Sequence, residues 1–158
     1  MTIQLLLRDV LPADLPFFFD FQRDVTANHM AAFTAKDPTD RAAFNVHWAR
    51  IMGEDSIKIK TTLLQDKIVG YVLQFEIDGK PEISYWVGTS YWGKGIATQA
   101  LALFLKLISV RPIYARAAKD NFGSIRVLEK CGFVITGHET GYANARGAEI
   151  EEVVLKLQ

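Results

Sequence analysis

Between Gly53 and Gly95 the apolar period of the chain changes twice, and that change limits the folds open to it. Helical spacing gives way to alternation, then returns. In "SIKIKTTLLQ", Ile57, Ile59 and Thr61 alternate with Lys58 and Lys60, the period-two pattern of a half-buried strand. "KIVGYVLQFEI" and "KPEISYWVG" follow as two more strands. Asp78-Gly79 between them signals a hairpin, because both residue types accept positive φ. Pro81 has no N–H for a ladder, so it belongs at a strand start or on an unpaired side.

On either side the pattern is mixed. "TIQLLLRDV" reads as a first strand, and "LPADLPFFFDFQRDVTANHM" as one helix that fades near Asn28. "DPTDRAAFNVHWARIM" predicts a second helix, with Asp37 or Thr39 as cap, Pro38 in its first turn and Gly53 as its stop. Ala43, Val46, His47 and Arg50 follow at helical spacing. After Gly95, a stripe of Ile96, Ala100, Leu103, Phe104 and Leu107 predicts a helix reaching Val110. "RPIYARAA" is a strand and "NFGSIRVLEKCGF" a short helix ended by Gly132. "FVITGHETG" and "EIEEVVLKLQ" are closing strands. A meander followed by crossovers means an α/β fold in the mixed-sheet (α+β) sense, with about seven strands and about four helices. The 158 residues suit a single domain, 1–158.

Eighteen basic residues balance eighteen acidic ones, so no global charge draws the protein to nucleic acid or to an acidic membrane. The single cysteine, Cys131, excludes an intrachain disulfide. His29, His47 and His138 lack metal-ligand spacing, and no metal is expected. Arg8, Asp9 and Asp14 interrupt the place of a signal peptide's apolar run, and no stretch reaches the roughly 18 apolar residues of a membrane span. The expectation is a cytoplasmic protein without membrane contact.

"VGTSYWGKGIATQAL" is the stretch that carries chemistry. Gly88 to Lys94 fits the first seven places of the nucleotide-binding phosphate loop, but Gly95 stands where a magnesium-binding hydroxyl is required. A bland strand-to-helix turn is a second reading, with Gly95 letting the helix pack close. In the third, the glycines turn several backbone N–H groups one way at a helix N-terminus, which holds a phosphate or pyrophosphate without metal.

This loop and "NFGSIRVLEKCGF" together resemble the Gcn5-related N-acetyltransferase (GNAT) superfamily, in its ribosomal-protein alanine N-acetyltransferase-like branch. The family's Q/R-x-x-G-x-G/A loop falls on Ser90 to Gly95, with Ser90 in place of Gln or Arg. Its N-x-x-S/A…K-x-G-F helix falls on Asn121, Ser124, Lys130, Gly132 and Phe133. The resemblance implies a GNAT-like sheet whose central parallel strands splay, with acetyl-coenzyme A (acetyl-CoA) as cosubstrate between them. It implies cofactor contacts at Trp86, Val87, Tyr91, Trp92, Gly93, Lys94, Gly95, Ile96, Ala97, Asn121 and Ser124. The pyrophosphate would rest on N–H groups from about Tyr91 to Ile96, and an N–H near Val87 would face the thioester oxygen.

The implied reaction is direct attack of an amine on the thioester in a ternary complex. Alternation puts Glu82, Ser84 and Trp86 on one strand face, and Glu82 is the candidate base; the alternative is a solvated residue beside Pro81. Many relatives protonate the thiolate with a tyrosine seven residues after the helix asparagine, where this chain has Leu128. Ser124 is the candidate acid, or a water replaces it. Asn121 reads equally as a helix N-cap. His29 and Phe33 are candidate acceptor contacts, against a reading in which Phe33 is merely buried. "HETGYANARGAE" either closes over the acceptor or is a mobile hairpin. The expected partner is a small-molecule or peptide amine, and the expected assembly a monomer or homodimer. A non-catalytic acyl-CoA-binding sensor is the alternative function.

Overall fold

The computed structural model describes residues 4–158. The first strand expected from Thr2 therefore begins outside the described residues, and its observed part is β1 (Leu5–Asp9). Three helices follow, α1 (Leu15–Gln22), α2 (Val25–Ala31) and α3 (Arg41–Gly53). The meander comprises β2 (Lys58–Leu64), β3 (Lys67–Ile77) and β4 (Lys80–Val87). Then come α4 (Ile96–Leu107), β5 (Ile113–Ala118), α5 (Phe122–Lys130), β6 (Val134–Ala143) and β7 (Ala148–Leu157).

All seven strands form one sheet in the order β1-β2-β3-β4-β5-β7-β6. Every pairing is antiparallel except β4 with β5, which are parallel and joined by the α4 crossover. Asp78 and Gly79 take φ of 51° and 76°, as the β3–β4 hairpin turn requires. Gly70 on β3 lies against the β4 backbone: a Cβ there would sit 2.0 Å from the Trp86 carbonyl oxygen. The two strands meet closely because this residue has no side chain.

Two cores sandwich the sheet. Val72 and Ile83 pack with Ala100, Leu101 and Phe104 of α4, Leu128 of α5, and Ile113, Ala115 and Leu155 of β5 and β7. On the opposite face Phe18, Phe19, Phe44, Trp48 and Ile51 pack against Tyr71. Phe18, Trp48 and Tyr71 form a trio with centroids 4.8–5.0 Å apart. Such ring pairs add about 1 kcal/mol each beyond the area they bury.

Several helix expectations need correction. The single first helix is two, because Asp24 leaves helical geometry and its side chain caps Ala27 N–H, starting α2 afresh. Among the described residues the α-helix count is accordingly five, not about four. Asp40, not Asp37 or Thr39, caps α3 by accepting from Ala43 N–H; Pro38 precedes the helix. Its buried face is Phe44, Trp48 and Ile51, while Val46 is exposed. In α4, Leu101 takes the inward place assigned to Leu107, and the helix stops at Leu107.

Candidate active site

β4 and β5 part almost as soon as they meet. Their only paired positions are Glu82 and Tyr114. Beyond them β4 continues to Val87 with β3 alone. Gly88 N–H donates to Val69 O. By alternation, the even-numbered residues of β4 bond β3, and the N–H and C=O groups of Tyr85 and Val87 turn toward the opening. The Val87 carbonyl accepts from the Trp92 indole at 2.8 Å, which folds the glycine loop back over the strand end. The splayed central parallel strands are therefore present, with backbone groups lining the gap.

At the mouth of this gap lies the N-terminus of α4. Its cap, Gly95, has φ 77° and no side-chain cap, and Gly93 has φ 75°. A Cβ on either glycine would meet nothing within 4 Å, so the backbone angle rather than crowding calls for glycine. Ile96 is buried against Val69 and Val87 and anchors the turn to the sheet. The N–H groups of Tyr91 and Trp92 are already bonded, to Gly88 O and Thr89 O, in the short 3-10 turn Thr89–Tyr91. The first helix N–H with a backbone acceptor is that of Gln99, on Gly95 O. The open row of donors thus runs from Gly93 through Ala97 to Thr98, two residues later than the Tyr91-to-Ile96 span expected. These donors, with the helix dipole, suit a phosphate group. Lys94 is exposed, its ammonium 5.8 Å from the Tyr91 ring centroid.

Alternation divides the β4 side chains between the two faces of the sheet. On the α4–α5 side, Tyr85 Oη is 2.7 Å from Ser124 Oγ. Leu128, two turns after Asn121, is 1% exposed and part of the core. The Trp86 side chain lies on the other face of the sheet, away from α5, and the Tyr85 side chain takes the α4–α5 side of the opening. The Trp86 indole N–H is buried without a partner. Asn121 caps α5 by accepting from Ser124 N–H at 3.2 Å, and its amide donates to Met30 O at 3.1 Å. Its side chain is thereby committed to the cap and to α2, leaving one amide hydrogen for any cofactor.

Glu82 is buried, 4% exposed, on the face away from α5. Arg116 Nε lies 3.2 and 3.3 Å from its two oxygens. The same guanidinium also binds Glu152 at 3.1 Å, and Glu139. Burial pushes the Glu82 carboxyl above its ordinary value; Arg116 opposes this, and Glu152 and Glu139 reinforce it. Glu82 is not the solvated residue of the alternative reading. It is a buried carboxylate sharing one cation with two others.

His29 is exposed on α2. Phe33 is 37% exposed, so it is not the buried residue of the bland reading, and its ring covers Gly141 of β6. The β6–β7 turn, read either as a mobile hairpin or as a cover for the acceptor, makes several hydrogen bonds to its neighbours. Arg146 donates to His29 O at 2.6 Å and holds Asp120 with two bonds of 2.8 and 2.9 Å. Ala145 N–H bonds Ala32 O, and Asn144 bonds Thr34 O. The turn is fastened to α2 and to the loop before α5. Arg116 and Tyr85 escaped the sequence reading, and Arg146 was singled out only as part of the β6–β7 loop; of the two missed residues only Tyr85, three residues before Gly88, carried a local signal.

Residues 4–134 match the family model described as Acetyltransferase (GNAT) domain. An "Uncharacterized N-acetyltransferase p20" of Bacillus licheniformis is 28% identical over 109 residues, which span 65% of this chain and 60% of that protein. The fold is similar to spermidine N-acetyltransferase from Vibrio cholerae, solved with CoA and spermine: TM-score 0.82, 19% identity, covering 98% of this chain and 95% of that one. It is also similar to Mycobacterium smegmatis RimJ in complex with CoA-disulfide: TM-score 0.81, 22% identity, covering 97% and 81%. Ribosomal-protein-alanine N-acetyltransferase from Brucella melitensis superposes with a TM-score of 0.75 at 21% identity, covering 96% and 98%. The family match spans most of the sheet, both strands of the opening and the glycine loop, and the chain belongs to the GNAT acetyltransferase family.

Proposed function

We propose that this protein transfers an acetyl group from acetyl-CoA to a primary amine. The observation that carries the reading is the parting of β4 from β5 after Glu82, beside the open N–H row of α4. The pyrophosphate of the cosubstrate would rest on the N–H groups from Gly93 to Thr98. Its pantetheine arm would pair with the backbone groups of Tyr85 and the N–H of Val87 like an extra strand, the Val87 carbonyl being held by the Trp92 indole. The Val87 N–H would donate to the thioester oxygen as charge gathers there.

The acceptor would approach from the Glu82 face. An amine is a nucleophile only after it loses its proton, and a carboxylate with a raised pKa is better matched to that task near neutral pH. Carboxylates outnumber the guanidinium three to one on this face, which favours a cationic acceptor. A small-molecule or peptide amine fits; the spermine complex of the Vibrio protein and the ribosomal-protein acetyltransferases supply the two classes to try first.

The test is release of free thiol from acetyl-CoA against a panel of polyamines and peptides with free N-termini. Amine-dependent thiol release with formation of the acetylated amine supports the reading. Tight acetyl-CoA binding with no release for any amine would favour the acyl-CoA-binding sensor, for which the buried Leu128 is the supporting feature.

A further inference from the structure

Cleavage of a thioester leaves a thiolate, and a thiol of ordinary pKa near ~8.5 ends mostly protonated at neutral pH. Some group must deliver that proton or hold the anion until it arrives. Leu128 has no hydroxyl and is sealed in the core. A second hydroxyl nevertheless reaches the same side of the opening, from a different element.

We propose that Tyr85 is a positioning residue that readies Ser124 to protonate the departing thiolate, the two hydroxyls forming a relay across the gap between β4 and α5. The inference rests on the reading that the thioester lies in the β4–β5 opening. Tyr85 Oη lies 2.7 Å from Ser124 Oγ, a pair in which either hydroxyl can donate, and 3.4 Å from Ser124 O, so the short contact is the one between the hydroxyls. The Ser124 N–H is fixed as well, by the Asn121 cap. In the arrangement the relay uses, Tyr85 donates to Oγ and the serine's own hydrogen is left for the sulfur. Burial pushes the Tyr85 phenol up to about 12, against the bond with Ser124, so it stays neutral and able to donate at physiological pH.

The step balances. The amine nitrogen bonds the carbonyl carbon, the C–S bond breaks, and its electron pair goes to sulfur. Sulfur takes the Ser124 Oγ proton, Oγ takes the Tyr85 proton, and the phenolate recovers one from water. The amine sheds its proton to water through Glu82, so no net proton is produced or consumed by the chain.

The plain alternative is that this hydroxyl pair only pins α5 to β4. Tyr85→Phe keeps the ring and its packing and removes the one bond. Turnover, acetyl-CoA affinity and the pH titration of the ultraviolet thiolate band of bound CoA separate the two. The relay predicts that Tyr85→Phe lowers kcat about 10- to 100-fold while acetyl-CoA affinity stays within about twofold. Ser124→Ala should cost a similar factor, and the double variant no more than either alone, because the two act as one unit. It also predicts that the thiol of CoA on the wild-type protein ionises at lower pH than free CoA, and that Tyr85→Phe returns it toward the free value. Unchanged kcat and an unchanged thiolate titration in Tyr85→Phe would overturn the relay. So would a loss explained wholly by weaker acetyl-CoA binding. Failure of the wild-type protein to bind CoA would instead overturn the underlying reading, and the relay with it.

Discussion

Asp14 and Glu82 are both buried carboxylates facing an arginine, yet their surroundings push them in opposite directions. Asp14, 1% exposed, accepts from both Arg8 nitrogens at 2.7 and 3.0 Å, from Leu11 N–H at 2.9 Å and from Thr61 Oγ at 2.7 Å. Burial alone would raise its pKa, but these four donors outweigh it and hold the carboxyl below its ordinary value. Glu82, 4% exposed, has only Arg116 among the described residues, and shares it with Glu139 and Glu152. Burial wins there, and the carboxyl is raised. A saturated carboxylate is a structural rivet at the β1–β2 corner; an under-supplied one is fit to take a proton. Burial by itself does not make a base; the ratio of donors to carboxylates does.

The sharpest way to break this comparison is Glu82→Gln. It should lower turnover by about 10²- to 10⁴-fold, the usual worth of a general base, and leave acetyl-CoA affinity unchanged. Asp14→Asn should leave turnover per folded molecule alone. It should cost about 2 kcal/mol of stability, since it breaks a buried pair whose arginine is partly solvated. Unchanged turnover in Glu82→Gln would remove Glu82 as the base.

The two sites also predict opposite pH signatures. The contribution of Asp14 is fully present above the unfolded value near 3.8 and is lost as pH falls through its lowered folded value. Denaturant titrations should therefore show the gap between wild type and Asp14→Asn closing on acidification. Glu82 behaves the other way. Its protonated form is favoured by folding, so its contribution is present below 4.5 and is lost as pH rises through the raised folded value. The stability of Glu82→Gln relative to wild type should rise with pH across that window. A fall would contradict the raised value.

The smallest expected effect sharpens the cause. Glu152→Gln removes a neighbouring negative charge and frees more of Arg116 for Glu82. The acid limb of the pH–rate profile should move to lower pH with little change in its plateau. A limb that stays put would mean that Glu152 does not tune Glu82.

The glycine turn into α4 was legible in the sequence because it is local. Gly93 and Gly95, a strand before and an apolar stripe after specify a helix N-terminus within a dozen residues, and backbone does the rest. Glu82 was legible as a position on a strand face, but its chemistry was not. Arg116 gathers carboxylates 34, 23 and 36 residues away, from three strands whose neighbourhood only the sheet order creates. Arg146 is similar: its partners Asp120 and His29 lie 26 and 117 residues distant. The break between α1 and α2 was missed for a different reason. Asp24 lies within an otherwise helical run and acts as a cap only because the backbone there turns extended.

The claim on which the rest depends is that the row of N–H groups from Gly93 to Thr98 holds the pyrophosphate of coenzyme A. Calorimetric titration of the wild-type protein and Gly93→Glu, with acetyl-CoA and separately with ATP and magnesium, tests it directly. The prediction is saturable acetyl-CoA binding to the wild type, none for ATP with magnesium, and loss of acetyl-CoA binding in Gly93→Glu, whose side chain brings a negative charge onto the cradle. Normal acetyl-CoA affinity in Gly93→Glu, or binding of ATP with magnesium alone, would contradict it.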